Sequence, residues 1–355
     1  MIAILQPLIT HYREEFFVKL TEFLDCMLYC YLSNNEGMKR NFKISTISTK
    51  DIQLYSFGSF SWYNPFVLLK NKAETFVLML DFKHIATWFL LLTKFIHKRK
   101  VILWGQGISI KRFLQDEKKT FLPLKYFLSL SDGVWFYTEN ELNMWRQRIP
   151  KLNAVALNNT ISGIDNILNI PEISQTEKQI LKEKYGIKEE VVFIFCARFK
   201  ANRRIDLLLQ AIEKLDNKKF GFIIIGGGDY KPNFSEYPNI YDFGGVYDFK
   251  NKTDLFQIAD IYFQPAWLGL SVVEAMAYGK PVFSFKRSEK VLQCVEYYYV
   301  KDNYNGKIFD EISNFLDYIY RLDFSEIQTM GKNAKAFAKE NLLIENMLKN
   351  AVSIL

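Results

Sequence analysis

Short apolar runs rich in β-branched and aromatic residues alternate along this chain with longer stretches of helical period, and the alternation runs through twice. Strand then helix, repeated, folds most simply into a parallel sheet covered by helices. The first series places strands near 2–6, 26–32, 75–81, 101–104, 133–138 and 154–158, with helices near 12–24, 84–97, 119–130 and 139–147. The second places strands near 191–197, 220–226, 239–243, 260–264 and 281–284. Its helices fall near 174–185, 204–215, 250–258, 271–278 and 311–321, and helical period continues from about 324 to 353. The fold class is α/β, with two Rossmann-like domains: 1–158, a polar linker at 159–170, 171–340, and a terminal helix, 341–355, expected to pack back on the first domain. A length of 355 residues suits two such cores. Open parallel sheets bind ligands beyond the carboxyl ends of their strands, so facing domains would hold a ligand in a cleft between them.

Hydrophobic residues make up 49% and charged residues 24%, which excludes a disordered or collagenous chain. The net charge of +7 lies wholly in the first half. Residues 94–125 alone carry nine cations (Lys94, Lys98, Arg99, Lys100, Lys111, Arg112, Lys118, Lys119, Lys125) against Asp116 and Glu117. Beside the apolar run 85–93, such a stretch suits an anionic membrane surface, the alternative being a solvated helix face. Charged residues interrupt the most apolar stretch, so no spanning helix is expected, and MIAILQPLITHYREE carries no basic leader or cleavage site. The expected location is cytoplasmic, peripheral on the inner face of the membrane. Cys26, Cys30, Cys196 and Cys294 have no zinc spacing and read as buried thiols. No metal site, cofactor or nucleic-acid partner is expected.

The segment 260–282 is the most informative. A strand ends at Pro265, the chain turns at Gly269, and a helix begins near Ser271 and stops before Gly279 and Pro281. Free amides at Gly269, Leu270 and Ser271 would cradle a diphosphate, and the Glu274 carboxylate could meet a ribose. Ser271-x-x-Glu274 is equally a capping box, which would satisfy the helix by itself. After the strand near 191–197, Arg198, Lys200, Arg203 and Arg204 crowd one loop, where cations would stabilise charge on a leaving phosphate. Thr138-x-x-Glu141 reads as a capping box. The Gly226-Gly227-Gly228 run is not a dinucleotide fingerprint, since no G-x-G-x-x-G follows a strand.

These two segments, with Gly226–Gly228 and Phe243-Gly244-Gly245-Val246, resemble the C-terminal domain of family-four glycosyltransferases of the GT-B fold. The resemblance implies that Arg198 and Arg203, with Arg204 an alternative to the latter, neutralise the donor diphosphate. It implies further that Gly269, Leu270 and Ser271 cradle that diphosphate, that Glu274 holds the ribose, and that the turn at Gly244, Gly245 and Val246 receives the base. The family has two glutamates separated by seven residues; at the first of these positions, which contacts the donor sugar, this chain has Ala266. The first half resembles a subgroup opening with a strand and His-Tyr-Arg, here His11-Tyr12-Arg13. On the acceptor or sugar side this marks His11 and Arg13, together with Gln106 and Gly107 of Trp104-Gly105-Gln106-Gly107, where relatives place a histidine.

The implied activity is transfer of a sugar from a nucleotide sugar, a UDP-sugar by default, to a glycan or lipid-linked glycan acceptor. Transfer would be metal-independent, would retain configuration, and would serve the synthesis of surface polysaccharide or glycoconjugate. The acceptor is assigned to the basic first domain and the donor to the second. Two alternatives stay open: a non-catalytic nucleotide-sugar-binding partner protein, for which Ala266 argues, and a GT-B nucleotide-sugar epimerase.

Overall fold

The structure is a computed structural model that describes residues 1–32 and 45–355. The chain divides into two compact units, Met1–Ser162 together with Ile344–Leu355, and Gly163–Leu343.

The first unit is built on β1 (Ile2–Gln6), β2 (Cys26–Cys30), β3 (Lys50–Asp51), a separate antiparallel hairpin β4 (Leu54–Phe57) and β5 (Phe60–Tyr63), then β6 (Thr75–Met79), β7 (Lys100–Gly105), β8 (Gly133–Phe136) and β9 (Ala154–Ala156). Its parallel sheet has the order β3-β2-β1-β6-β7-β8-β9. Phe16, Phe17, Trp104 and Trp135 are fully buried at its centre, and Trp104 meets Trp135 edge to face at 5.5 Å.

The second unit contains β10 (Val191–Cys196), β11 (Phe220–Ile225), β12 (Ile240–Asp242), β13 (Ile261–Phe263), β14 (Val282–Phe285) and β15 (Gly306–Phe309), all parallel, in the order β12-β11-β10-β13-β14-β15. Helices cover both faces of such a sheet, so its central strands are apolar runs. VVFIFC of β10 and FGFIII of β11 are buried at every position. Aromatic pairs fill its core: Phe193 stacks on Phe222 at 5.0 Å, and Phe263 on Phe315 at 4.6 Å.

Three expectations are corrected. The segment assigned to a linker contains a helix, Ile164–Leu168, and the division between units falls between Ser162 and Gly163. The helical period from 324 to 353 is two helices, Phe324–Asn341 and Ile344–Val352. No glycine or proline separates them, so the periodicity ran unbroken across Leu342 and Leu343. The β4–β5 hairpin and the strands β3 and β15 were not expected; the hairpin turns at Gly58, whose φ of +59° favours glycine. The helix Ile344–Val352 buries Ile344, Met347 and Ala351, its Glu345 pairs with Lys19, and Asn350 Nδ2 donates to Ala156 O at 2.9 Å.

The loops after β10 and β11 are pressed together backbone to backbone. A Cβ added to Gly226 (φ +139°) would lie 2.1 Å from Ala197 O, whereas one added to Gly227 would meet nothing within 4 Å. Gly226→Ala should therefore destabilise the chain by about 2–4 kcal/mol, and Gly227→Ala by no more than about 0.5 kcal/mol, in urea unfolding. Equal effects of the two would show that this approach is not tight.

Candidate functional site

In the second sheet β10 pairs with β11 on one side and β13 on the other, so the strand order reverses at β10. At such a reversal the connections leave the sheet in opposite directions and open a crevice at its carboxyl edge. The loops 197–204 and 264–270 flank that point, and both expected diphosphate segments lie on them.

The first loop is fixed by Ala197 N donating to Ile225 O at 3.0 Å and Phe199 N to Gly227 O at 2.9 Å. Its four cations have different fates. Arg204 is clamped: Nε and Nη2 donate to both oxygens of Asp206 at 2.8 and 2.6 Å, and Nη1 donates to Lys290 O at 3.1 Å. Arg203 turns inward, its Nη1 donating to Trp267 O at 3.2 Å, and burial lowers its pKa from the ordinary arginine value. Its buried Nε has no acceptor among the described residues, an open position that a ligand oxygen would fill. Arg198 is half-buried and Lys200 exposed.

The second loop hangs on two buried amides. Gln264 Oε1 accepts from Tyr262 Oη (2.6 Å) and Ser271 Oγ (3.2 Å), while its Nε2 donates to Ala266 O and Trp267 O at 2.9 and 2.7 Å. Gln293 Oε1 accepts from Leu268 N at 2.9 Å, and its Nε2 donates to Phe285 O at 2.8 Å and Ser284 Oγ at 3.0 Å. Trp267 is held at φ +56° by this bracing. The backbone amides of Gly269, Leu270 and Ser271 donate to no acceptor among the described residues, and Gly269 faces open space.

The capping box at Ser271-x-x-Glu274 does not form. The Ser271 hydroxyl goes to Gln264, and the Glu274 carboxylate pairs through both oxygens with Lys252 of the helix Phe249–Ile258, at 2.6 and 2.7 Å. Burial works against the Lys252 ammonium, but Cys196 and Glu274 beside it more than offset this and hold its pKa above the ordinary lysine value. Lys252 escaped sequence reasoning because it lies one strand and one turn from its partner. Beyond β12, Gly226 N donates to Gly244 O at 2.6 Å and Gly244 N to Asp242 Oδ1 at 2.9 Å, which leaves Gly245 exposed and Val246 half-buried at the rim. Ala266, at the position where the family resemblance implies the first glutamate, is fully buried in the apolar core.

In the first unit, Arg13 lies over the rings of Trp104 and Tyr137, at 5.4 and 5.0 Å. His11 is exposed and packs edge-on against Tyr12. Gly107 is structural: its carbonyl accepts from Trp145 Nε1 at 2.7 Å, and a Cβ there would meet the Phe136 ring at 2.4 Å. Gln106, half-buried, precedes it. The Thr138–Glu141 capping box does form, with Thr138 N and Oγ1 both donating to Glu141 Oε2. His84, passed over in the sequence, is buried after β6. Its Nδ1 has no partner among the described residues, Tyr31 and Tyr63 lie edge-on to it, and burial lowers its pKa.

Residues 177–322 match the family described as glycosyl transferases group 1. No curated protein matches the chain in sequence. Among solved structures, the chain is similar to Anabaena HepE in complex with UDP, at 15% identity and TM-score 0.67, over 99% of this chain and 98% of that one. It is similar to the lipopolysaccharide outer core galactosyltransferase WaaB, at 13% identity and TM-score 0.66, over 99% and 98%. A glycosyltransferase from Rickettsia africae aligns at 16% identity and TM-score 0.61, over 99% and 97%. At these identities the likeness establishes the fold, which is GT-B.

The bracing of the second loop sets its own test. Gln293→Ala strips the buried Leu268 amide of its acceptor and should cost about 1–3 kcal/mol in urea unfolding, with faster hydrogen exchange at Leu268. Unchanged exchange there would mean the loop is held by something else.

Proposed function

We propose that this chain is a glycosyltransferase that moves a sugar from a nucleotide sugar, by default a UDP-sugar, to a glycan or lipid-linked glycan acceptor, in the synthesis of surface polysaccharide or glycoconjugate. One observation carries the reading: at the reversal point of the second sheet, within the segment that matches the transferase family, three uncommitted backbone amides adjoin an arginine-bearing loop with an unfilled buried donor. That HepE is described in complex with UDP supports the choice of nucleotide.

In this reading the diphosphate rests on the amides of Gly269, Leu270 and Ser271, with Arg198 and Arg203 supplying positive charge. Arg204, committed to Asp206, contributes through loop shape. Glu274 accepts hydrogen bonds from the ribose while Lys252 holds it oriented, and the backbone at Gly244–Val246 receives the base. The bond from the anomeric carbon to the diphosphate oxygen breaks, and the acceptor oxygen bonds to that carbon from the same face. The departing diphosphate takes the acceptor proton, so configuration is retained without a protein base. Protein cations, with no divalent metal, offset the charge on the leaving group. His11, Arg13, Gln106 and Gly107 are assigned to the acceptor or sugar side. Arg198→Ala should lower kcat by about 10²–10³-fold with UDP-sugar and acceptor, measured as UDP release. Undiminished turnover would remove Arg198 from the mechanism, and tight nucleotide-sugar binding without turnover across an acceptor panel would favour the non-catalytic alternative that Ala266 raises.

The proposal extends to a cytoplasmic protein lying peripherally on an anionic membrane. The first unit holds 22 Lys and Arg against 14 Asp and Glu, the second 24 against 25. Not all of the basic stretch is available: Lys94 pairs with Asp132, and Arg99 donates to Leu68 O, Leu69 O and Asn71 O. Lys98, Lys118 and Lys119 are exposed, and Phe95, Ile96 and Leu122 stand out at 78%, 68% and 70% exposure. No helix among the described residues is long and apolar enough to cross a membrane. The chain should float with vesicles rich in phosphatidylglycerol at low salt. Raising ionic strength to about 0.5 M should release it, because the charge attraction is screened, and so should F95S/I96S. Absence from the vesicle fraction at low salt would end the membrane assignment and leave the transferase intact.

A further inference from the structure

A cavity of about 330 Å³ opens in the second unit at the amino edge of its sheet, where Asp260 leads into β13 and Pro281 into β14. It thus lies at the opposite edge from the loops that carry Arg198 and Gly269. Four lysines line it, Lys178, Lys280, Lys332 and Lys335, against two acids, Asp260 and Glu172. Lys178 is paired with Asp260.

Lys280 and Lys335 make no ion pair among the described residues. Lys280 Nζ donates to Ala259 O at 2.8 Å, and Lys335 Nζ to Ile170 O at 3.1 Å. An ammonium has three donors, so each keeps hydrogen-bonding capacity for a ligand. Burial, and then the Lys178 charge, push the Lys280 pKa down to about 8, with Lys335 adding to this and Asp260 and Glu172 opposing it. An anion entering the cavity would reverse that penalty. The floor is rigid: a Cβ on Gly331 of the helix Phe324–Asn341 would lie 2.5 Å from Gly279 O, so that helix sits directly on the turn that carries Lys280. The volume suits a small organic molecule, and the amides of Gln175, Gln257 and Gln328 offer partners for hydroxyl groups. Lysines act on phosphate as point charges and do not demand the planar geometry of a carboxylate pair.

We propose that this cavity binds a small phosphate-bearing polyol of hexose phosphate size, with Lys280 and Lys335 on the phosphate and the glutamines toward the hydroxyls. The helix Ser271–Ala277 ends at the turn that lines the cavity and begins at the amides assigned to the diphosphate, so the two sites share one short rigid element.

Calorimetry on the full chain with glucose 6-phosphate, inorganic phosphate and glucose tests this. Glucose 6-phosphate should bind, phosphate more weakly, and glucose not at all. Lys335→Gln should weaken glucose 6-phosphate binding by about tenfold, the loss expected for one charge-assisted contact. Lys280→Gln should do the same; because it also removes the bond to Ala259 O, its fold is checked by circular dichroism, and Lys335→Gln carries the conclusion if it unfolds. Arg198→Ala should leave the binding unchanged. Binding abolished by Arg198→Ala but not by Lys335→Gln would place the anion on the other edge of the sheet and overturn the proposal, as would no binding of glucose 6-phosphate to the unaltered chain.

Discussion

Parallel pairing of β10 with a different neighbour on each side governs what the second unit can present. Because β11 and β13 both lie beside it, the loops that follow β10 and β13 emerge together, and their polar backbone must be satisfied by one another or by side chains. The chain meets that requirement with Gln264, which braces its loop from within, and with Gln293 and Arg203, which span between segments. What these bonds leave unsatisfied is as specific as what they satisfy: three successive amides and one guanidinium nitrogen. In the proposed reading the anion site is the remainder of a backbone accounting, held in shape by Gln264 and Gln293, which do not meet the ligand.

Charge in the second unit is organised by the same logic. Its near-neutral total conceals a separation in which arginines collect at the carboxyl edge of the sheet and unpaired lysines at the amino edge. Several acids are consumed locally, Asp206 by Arg204, Glu274 by Lys252, Asp260 by Lys178 and Asp242 by Lys231.

Much of this could be read from residue order alone. The strands at 191–196 and 220–225 announce themselves as unbroken apolar runs, and the glycines at 226, 228 and 269 mark where backbone must approach backbone or remain open. Less legible was anything that depends on distance across the fold. Glu274 looked like a helix cap because its sequence neighbour Ser271 suited that role, while its true partner Lys252 lies on another helix. Arg203 and Arg204 looked interchangeable in the sequence, yet a single left-handed residue sends one inward and leaves the other against Asp206. Gln264 and Gln293 carried no signal, since an amide that braces a loop has neither period nor motif.

The helix Ile344–Val352 belongs to a unit whose other residues end at Ser162. Its contacts with the helix Glu14–Phe23 and with β9 therefore close a loop that contains the entire second unit. On the ribosome the first sheet emerges well before the segment that covers it, and waits, with the surface under Ile344, Met347 and Ala351 uncovered, while some 180 further residues are synthesised and fold. The second unit, continuous in sequence, can complete itself without that delay. The first unit is thus complete only once the residues that follow the second have been made.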